Sequence, residues 1–248
     1  VHRIFARLLG LIFIIFLIYF SITKQLSRDS FKSLSLIFLL IIFQGVIGWI
    51  MVKSGLINRA SVSHLRLSLH LFIAFLIISL IYWHILNFKN RSNFNFFKYQ
   101  SNQFYIQLIL ILFYLQIILG ALVSGLDAGK IYQTWPSMNG NFIPNDLNIA
   151  NLSLSHSGFV QFLHRMSAYL LFCSIIFLGY KIFKERKIHL YKNYLILIFF
   201  TTVQIIFGIS VLFTNVNIYA ASLHQIFGVF LILVTIRLYY YSLKVRNF

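Results

Sequence analysis

The sequence predicts an all-α polytopic membrane protein of two pseudo-symmetric four-helix bundles. The first bundle lacks its first helix, so seven transmembrane helices are expected. Three observations predict this fold. The chain is 60% hydrophobic and only 10% charged, with a mean hydropathy of +0.85, whereas about a quarter of a soluble domain is charged. Apolar runs of roughly 20 residues, the length that crosses a bilayer as a helix, recur along the chain. Short polar motifs inside those runs repeat in the same order in both halves.

Taken in order, the runs cover 3–23, 33–53, 65–87, 103–125, 157–182, 193–213 and 218–243. Each must be helical, because lipid offers no partner to an unpaired backbone group. Segment 88–102 is rich in Asn, Lys and Phe and reads as an interfacial connector. Segment 126–155 holds both prolines, Pro136 and Pro144, with Gly129, Gly140 and several Asn; it is too polar to span and reads as an ordered extramembrane loop. The chain divides into an N-terminal half-bundle, 1–102, and a C-terminal four-helix bundle, 103–248. Equal halves require a helix like 103–125, with its outer loop, before Val1. The opening Val-His-Arg is no signal peptide and reads as a start inside a motif.

The balance of 21 Lys+Arg against 4 Asp+Glu gives a net charge of +17. In a soluble protein that would suggest nucleic acid as a partner. Here the cations sit in short loops between apolar runs, and no soluble fold exists to present a basic patch, so nucleic-acid binding is excluded. One set of loops carries Lys24, Arg28, Lys32, Lys89, Arg91, Lys98, Lys181, Lys184, Arg186, Lys187, Lys192, Lys244 and Arg246. The alternate set carries Lys53, Arg59, Arg66 and Lys130. The positive-inside rule makes the first set and the C-terminus cytoplasmic. The lone Cys173 lies in an apolar run and reads as a small buried or lipid-facing residue.

The candidate site follows from the histidines. Phe162-Leu163-His164-Arg165-Met166-Ser167-Ala168 repeats the opening phrase His2-Arg3-Ile4-Phe5-Ala6-Arg7. Each copy is followed by an apolar run with one more histidine after leucine, in Leu69-His70 and Leu223-His224. His70, His164 and His224 lie about five to eight residues into runs that all start outside, roughly 8–12 Å deep at 1.5 Å per residue. With His2 they share one depth near the outer face. Histidine is expensive inside a membrane and marks function unless a neighbour bonds it. Two pairs at equivalent positions, without cysteine or carboxylate beside them, fit bis-histidine haem better than zinc or di-iron.

Other polar residues carry two readings each. Arg3 and Arg165 either snorkel to the interface or pair with haem propionates. Gln44-x-x-x-Gly48, Gln116-x-x-x-Gly120 and Gln204-x-x-x-Gly208 read first as close-packing sites, where small residues let helices approach. Ser124-Gly125-Leu126 echoes Ser54-Gly55-Leu56. His84 beside Trp83 reads as interfacial; His64 and His156 read as boundary residues, and His189 as a cytoplasmic loop residue. Asp127 either forms a turn or shapes the site.

With these residues in view, the chain resembles the haem A synthase family of bacteria and mitochondria. The likeness runs through His2-Arg3; Gln44 to Leu56, with Trp49 and Met51-Val52-Lys53-Ser54-Gly55-Leu56; Arg66 with His70; Gly125-Leu126-Asp127-Ala128-Gly129; Thr134-Trp135-Pro136-Ser137-Met138-Asn139-Gly140; His164-Arg165; and His224. It covers nearly the whole chain. The resemblance implies an eight-helix protein that oxidises a methyl group of haem O to the formyl group of haem A for cytochrome oxidase. It implies that His2 and His70 hold the substrate haem, that His164 and His224 hold haem b as an electron relay, and that Arg3 and Arg165 contact propionates. The family's catalytic glutamate stands three residues before the first histidine. Here that place precedes Val1, and its counterpart in the second half is Gln161. Further expectations are an electron donor, contact with the enzyme that makes haem O, room for a homo-oligomer, and residence in the bacterial inner membrane, or the mitochondrial one in a eukaryote.

Two competing classes stay open at this level: a di-haem b electron-transfer cytochrome, and a transporter. A transporter's polar residues would gather at the midplane rather than at the outer ends. The charge pattern generates a test of topology. A cysteine placed by Asn141→Cys is expected to react with an impermeant thiol reagent added outside intact cells, and one placed by Lys187→Cys is not; the reverse labelling would invert every helix.

Overall fold

The computed structural model describes residues 2–58, 62–99, 101–145, 147 and 152–244, without the side chains of 54–58 and 102. Arg59 and Arg246, counted in the charge pattern, lie outside the described residues, as do Val1 and the side chains of the Ser54-Gly55-Leu56 echo. Among the described residues seven helices are long and apolar enough to cross a membrane. They are α1 (His2–Ile22), α2 (Arg28–Asn58), α3 (His64–Asn90), α4 (Phe104–Gly125), α5 (Ser157–Lys184), α6 (Ile188–Phe213) and α7 (Ile218–Leu243). Short 3-10 turns occupy Ser101–Gln103 and Ala128–Lys130. Among the described residues extended structure is limited to an isolated bridge between Met138 and Asn141. The protein is therefore an all-α polytopic membrane protein.

The helices match the apolar runs, with α2 and α6 extending beyond them. Hydropathy marks the lipid-embedded stretch, but backbone bonding continues until a cap or turn interrupts it. At the start of α2 the Ser27 hydroxyl accepts from the Ser30 N–H at 3.2 Å. At α7 the Asn217 side chain accepts from the N–H groups of Tyr219 and Ala220, at 2.9 and 3.5 Å. At α5 the His156 ring Nδ1 accepts from the Phe159 N–H at 3.2 Å, so this boundary histidine is a helix cap. The early start of α6 places His189 in its first turn rather than in a loop.

The chain forms two compact units, 1–98 and 99–248. In the first, α1 packs on α2 and α2 on α3. Ile37, Ile47, Ile73, Ile77 and Leu80 form the core between α2 and α3, and Phe13 stacks on Phe38 across α1 and α2. The connector after α3 folds back on that helix. Its Phe94 carbonyl accepts from Trp83 Nε1 at 2.8 Å and from Asn87 Nδ2 at 2.9 Å, and Phe96 meets Trp83 edge to face.

In the second unit α4 packs on α5, α5 on α6, α6 on α7, and α7 on α4, which closes a four-helix bundle. Its buried layer includes Ile175, Leu197, Ile232, Ile236, Leu238 and Tyr240. Polar links tie α4 to α7: Gln107 donates to the Tyr239 hydroxyl at 2.9 Å and Gln103 to the Ser242 carbonyl at 2.9 Å. Gly179 on α5 leaves the space that the Tyr194 ring of α6 occupies. A methyl at Gly179 would overlap that ring, and overpacking of this kind costs about 1–3 kcal/mol. Gly179→Ala should accordingly lower the thermal unfolding midpoint of the detergent-solubilised protein, and adding Tyr194→Leu should recover part of the loss; an unchanged midpoint in the single variant would contradict this packing.

Candidate functional site

The site is built from helical hairpins, α2–α3, α4–α5 and α6–α7. In each, the first helix carries a glutamine and, four residues on, a glycine; the second carries a histidine. A spacing of four puts glutamine and glycine on one face, a turn apart. The glycine's missing side chain is filled by the imidazole. A Cβ built at Gly48 would stand 3.1 Å from His70 Cε1; at Gly120, 3.1 Å from His164 Cε1; and at Gly208, 3.1 Å from His224 Cε1. Each ring therefore sits with its Cε1 edge against the neighbouring helix. The close-packing reading of these glycines holds, and what they admit is a histidine ring rather than a backbone.

The glutamine reaches the same histidine. Gln44 Nε2 donates to the His70 carbonyl at 3.0 Å, and Gln116 Nε2 to the His164 carbonyl at 3.1 Å. Gln116 Nε2 also lies 3.1 Å from His164 Nδ1, and Gln204 Nε2 lies 3.4 Å from His224 Nε2. Ser167, one turn beyond His164, donates to Gln116 Oε1. Several buried polar atoms have no protein partner: His70 Nδ1, His224 Nδ1, Gln44 Oε1 and Gln204 Oε1. Such atoms are costly in an apolar interior.

The second unit brings His164 and His224 within electrostatic reach of each other, and the first does the same for His2 and His70. His2 opens α1 and is exposed there, as is Arg3. Among the described residues no three His, Cys, Asp or Glu side chains gather as they would around a bare metal ion. His70 and His224 each keep a buried ring nitrogen without a protein partner, and paired imidazoles are a donor set that haem iron takes, because the porphyrin already fills its equatorial positions. The residues fit haem on that ground.

Known proteins resemble this chain along most of its length. The COX15-CtaA family, described as cytochrome oxidase assembly protein, matches residues 1–236. A heme A synthase of Pelagibacter ubique is 40% identical over 231 residues, which are 91% of this chain and 67% of that protein. One from Rickettsia bellii is 39% identical over 249 residues, 96% of this chain and 73% of its own length. One from Wolbachia pipientis wMel is 35% identical over 233 residues, 92% of this chain and 65% of its own length. The chain belongs to the haem A synthase family.

In this member of the family the strings around Asp127 and Thr134–Gly140 form a loop held on α5. Gln161, only 2% exposed, donates to the Tyr132 carbonyl at 2.8 Å and accepts from the Tyr132 N–H at 3.1 Å. Arg165 is also buried. Its NH2 donates to the Tyr132 carbonyl at 2.6 Å, and NH1 donates to the carbonyls of Thr134 at 2.8 Å and Ser137 at 3.4 Å. Its Nε has no partner. Arg165 thus neither snorkels to the surface nor presents an open fork; it braces the loop beside His164. Asp127 sits at a left-handed φ of 51° and pairs with Lys130 at 3.0 Å, both exposed, so it makes the turn. Cys173 is exposed on α5.

Sequence reasoning missed the contacts of the glutamines with the histidines and the grip of Gln161 on Tyr132. A signal for the first was present: Gln-x-x-x-Gly precedes His70, His164 and His224 in turn. Loss of the second grip should be measurable. Gln161→Leu leaves the buried N–H of Tyr132 without its partner, at a cost of about 1–3 kcal/mol. The variant should unfold at lower temperature and expose loop 126–145 to protease; parental resistance would show that the loop is held by something else.

Proposed function

We propose that this chain converts haem O to haem A, oxidising a methyl group on the macrocycle edge to a formyl group, for use in cytochrome oxidase. The observation that carries the reading is the set of paired histidines, each seated in a glycine slot, in a chain of the haem A synthase family. In this reading His2 and His70 hold the substrate, haem O, in the first unit, while His164 and His224 hold haem b in the second. When bound, haem b supplies a one-electron relay. An electron donor or acceptor docks nearby, and the enzyme that makes haem O delivers the substrate.

The chain's own residues supply position and dryness. The imidazoles fix each macrocycle by its iron, and the apolar helix faces exclude water. Arg3 is the cation available to a propionate in the first unit, since it is exposed at the start of α1. In the second unit Arg165 supplies positive charge beside His164 while its guanidinium holds the loop. Gln161 moves no proton, because an amide has none to give at neutral pH and both its ends engage Tyr132. The loop charges place the C-terminus in the cytoplasm and the histidines toward the outside of a bacterial inner membrane.

Two measurements test this. The purified protein should show the absorption of a low-spin bis-histidine haem, and His164→Ala or His224→Ala should abolish the second unit's contribution; both variants keeping it unchanged would remove these residues as ligands. In cells supplied with haem O, His70→Ala should stop accumulation of haem A, by extraction and chromatography, while the haem b spectrum from His164 and His224 remains. Undiminished haem A in that variant would move the substrate out of the first unit, and a parental protein yielding b-type haem alone would make it an electron carrier.

A further inference from the structure

On the haem reading above, on which this rests, we infer that Gln44 and Gln204 are positioning residues that accept the ring N–H which His70 and His224 keep when their other nitrogen is given to iron. An imidazole that gives one nitrogen's lone pair to a metal carries its proton on the other, and that N–H needs an acceptor. Inside a helix the backbone carbonyls are already engaged along the helix.

The structure supplies the acceptor. In α2–α3 the unpartnered atoms are His70 Nδ1 and Gln44 Oε1; in α6–α7 they are His224 Nδ1 and Gln204 Oε1. Each of these two hairpins thus holds a ring nitrogen and an amide oxygen, both buried and without a partner, on residues already joined: Gln44 Nε2 bonds the His70 carbonyl, and Gln204 Nε2 lies 3.4 Å from His224 Nε2. Turning the Gln204 amide about its last bond exchanges its ends and brings its oxygen to the ring nitrogen. In α4–α5 the amide nitrogen lies 3.1 and 3.3 Å from His164 Nδ1 and Nε2 and also bonds the His164 carbonyl, while its oxygen accepts from Ser167, so Gln116 is already engaged at both ends. The glycine admits the Cε1 edge of the ring, and the glutamine one turn away on the same face meets the same histidine.

A second feature of the sequence supports a designed slot. Four residues after each histidine stands a small residue: Ala6 after His2, Ala74 after His70, Ala168 after His164 and Gly228 after His224. That spacing is one turn on the same face. At Gly228 a Cβ would stand 3.5 Å from Gln204 Nε2, an ordinary contact, so glycine or alanine alike leaves the glutamine its place. Packing alone asks for no amide there, whereas an acceptor for a ring N–H does. A stronger acceptor pushes electron density through the ring toward iron and stabilises its oxidised state; removing the acceptor does the opposite.

The test uses the full-length protein purified with its haem, read by redox titration and by the low-spin electron paramagnetic resonance signal. Gln204→Leu is expected to keep the bis-histidine absorption, shift the resonance signal and raise the midpoint potential. Gln204→Glu, a stronger acceptor of similar size, is expected to hold the potential at or below the parental value. Gln204→Met, closer in length to glutamine, takes the place of the leucine variant if that protein does not accumulate. A role in packing alone would change protein yield and leave the potential and the resonance signal where they were. Parental values for both in the apolar variant, or a rise of potential in Gln204→Glu, would overturn the inference while leaving the haem reading intact. A parental protein with no low-spin haem would overturn the haem reading and this inference together.

Discussion

The membrane interior of this protein depends on the space left by absent side chains at Gly48, Gly120 and Gly208. An imidazole is polar and broad, and between helices it would force them apart or remain unpaired. With glycine opposite, it lies against the neighbouring backbone, its Cε1 3.1 Å from where a Cβ would be in all three hairpins. The helices can then approach as closely as dispersion packing in lipid requires, where no hydrophobic effect drives them together. The glutamine one turn away follows from the same geometry, because only the residue sharing the glycine's face can reach the ring.

A second constraint is that lipid tolerates no idle polar group. Most polar side chains here answer it locally. The hydroxyls of Ser79, Thr201 and Thr235 donate to the carbonyls of Phe75, Leu197 and Leu231, one turn back. Gln161 and Arg165 answer it at longer range, by binding the backbone of loop residues 132–137. These bonds turn a polar, glycine-containing connection into a cover that is part of the bundle, with Ala128 and Met138 buried beneath it. Against this economy the unpartnered nitrogens of His70 and His224 stand out. They belong to the residues that the repeat singles out.

At the turn between α5 and α6 the chemistry is aqueous again. Glu185 is held below the ordinary carboxylate range, first by its hydrogen bond with Lys187 and then by the charges of Lys187, Lys181 and Lys184. Being exposed, this cluster adds little to stability. Its role is topogenic, since it keeps a surplus of cations beside the ends of α5 and α6.

By itself the sequence determined the number and order of the membrane helices, because crossing hydrocarbon demands about 20 apolar residues regardless of what packs alongside. It also singled out His2, His70, His164 and His224 as candidates, since the same motif stands twice at matching places in His2-Arg3 and His164-Arg165. The extent of α2 and α6 was less legible, because hydrogen bonding carries a helix past the lipid boundary that hydropathy detects. What only tertiary structure decided was the partner of each polar side chain. Arg165, Gln161 and the glutamines of the hairpins could each have faced lipid, loop or ligand by their spacing alone. The choice rests on which helix lies opposite and how near it comes, and that nearness is set by contacts between residues far apart in the chain, such as Gly120 with His164 and Gln161 with Tyr132.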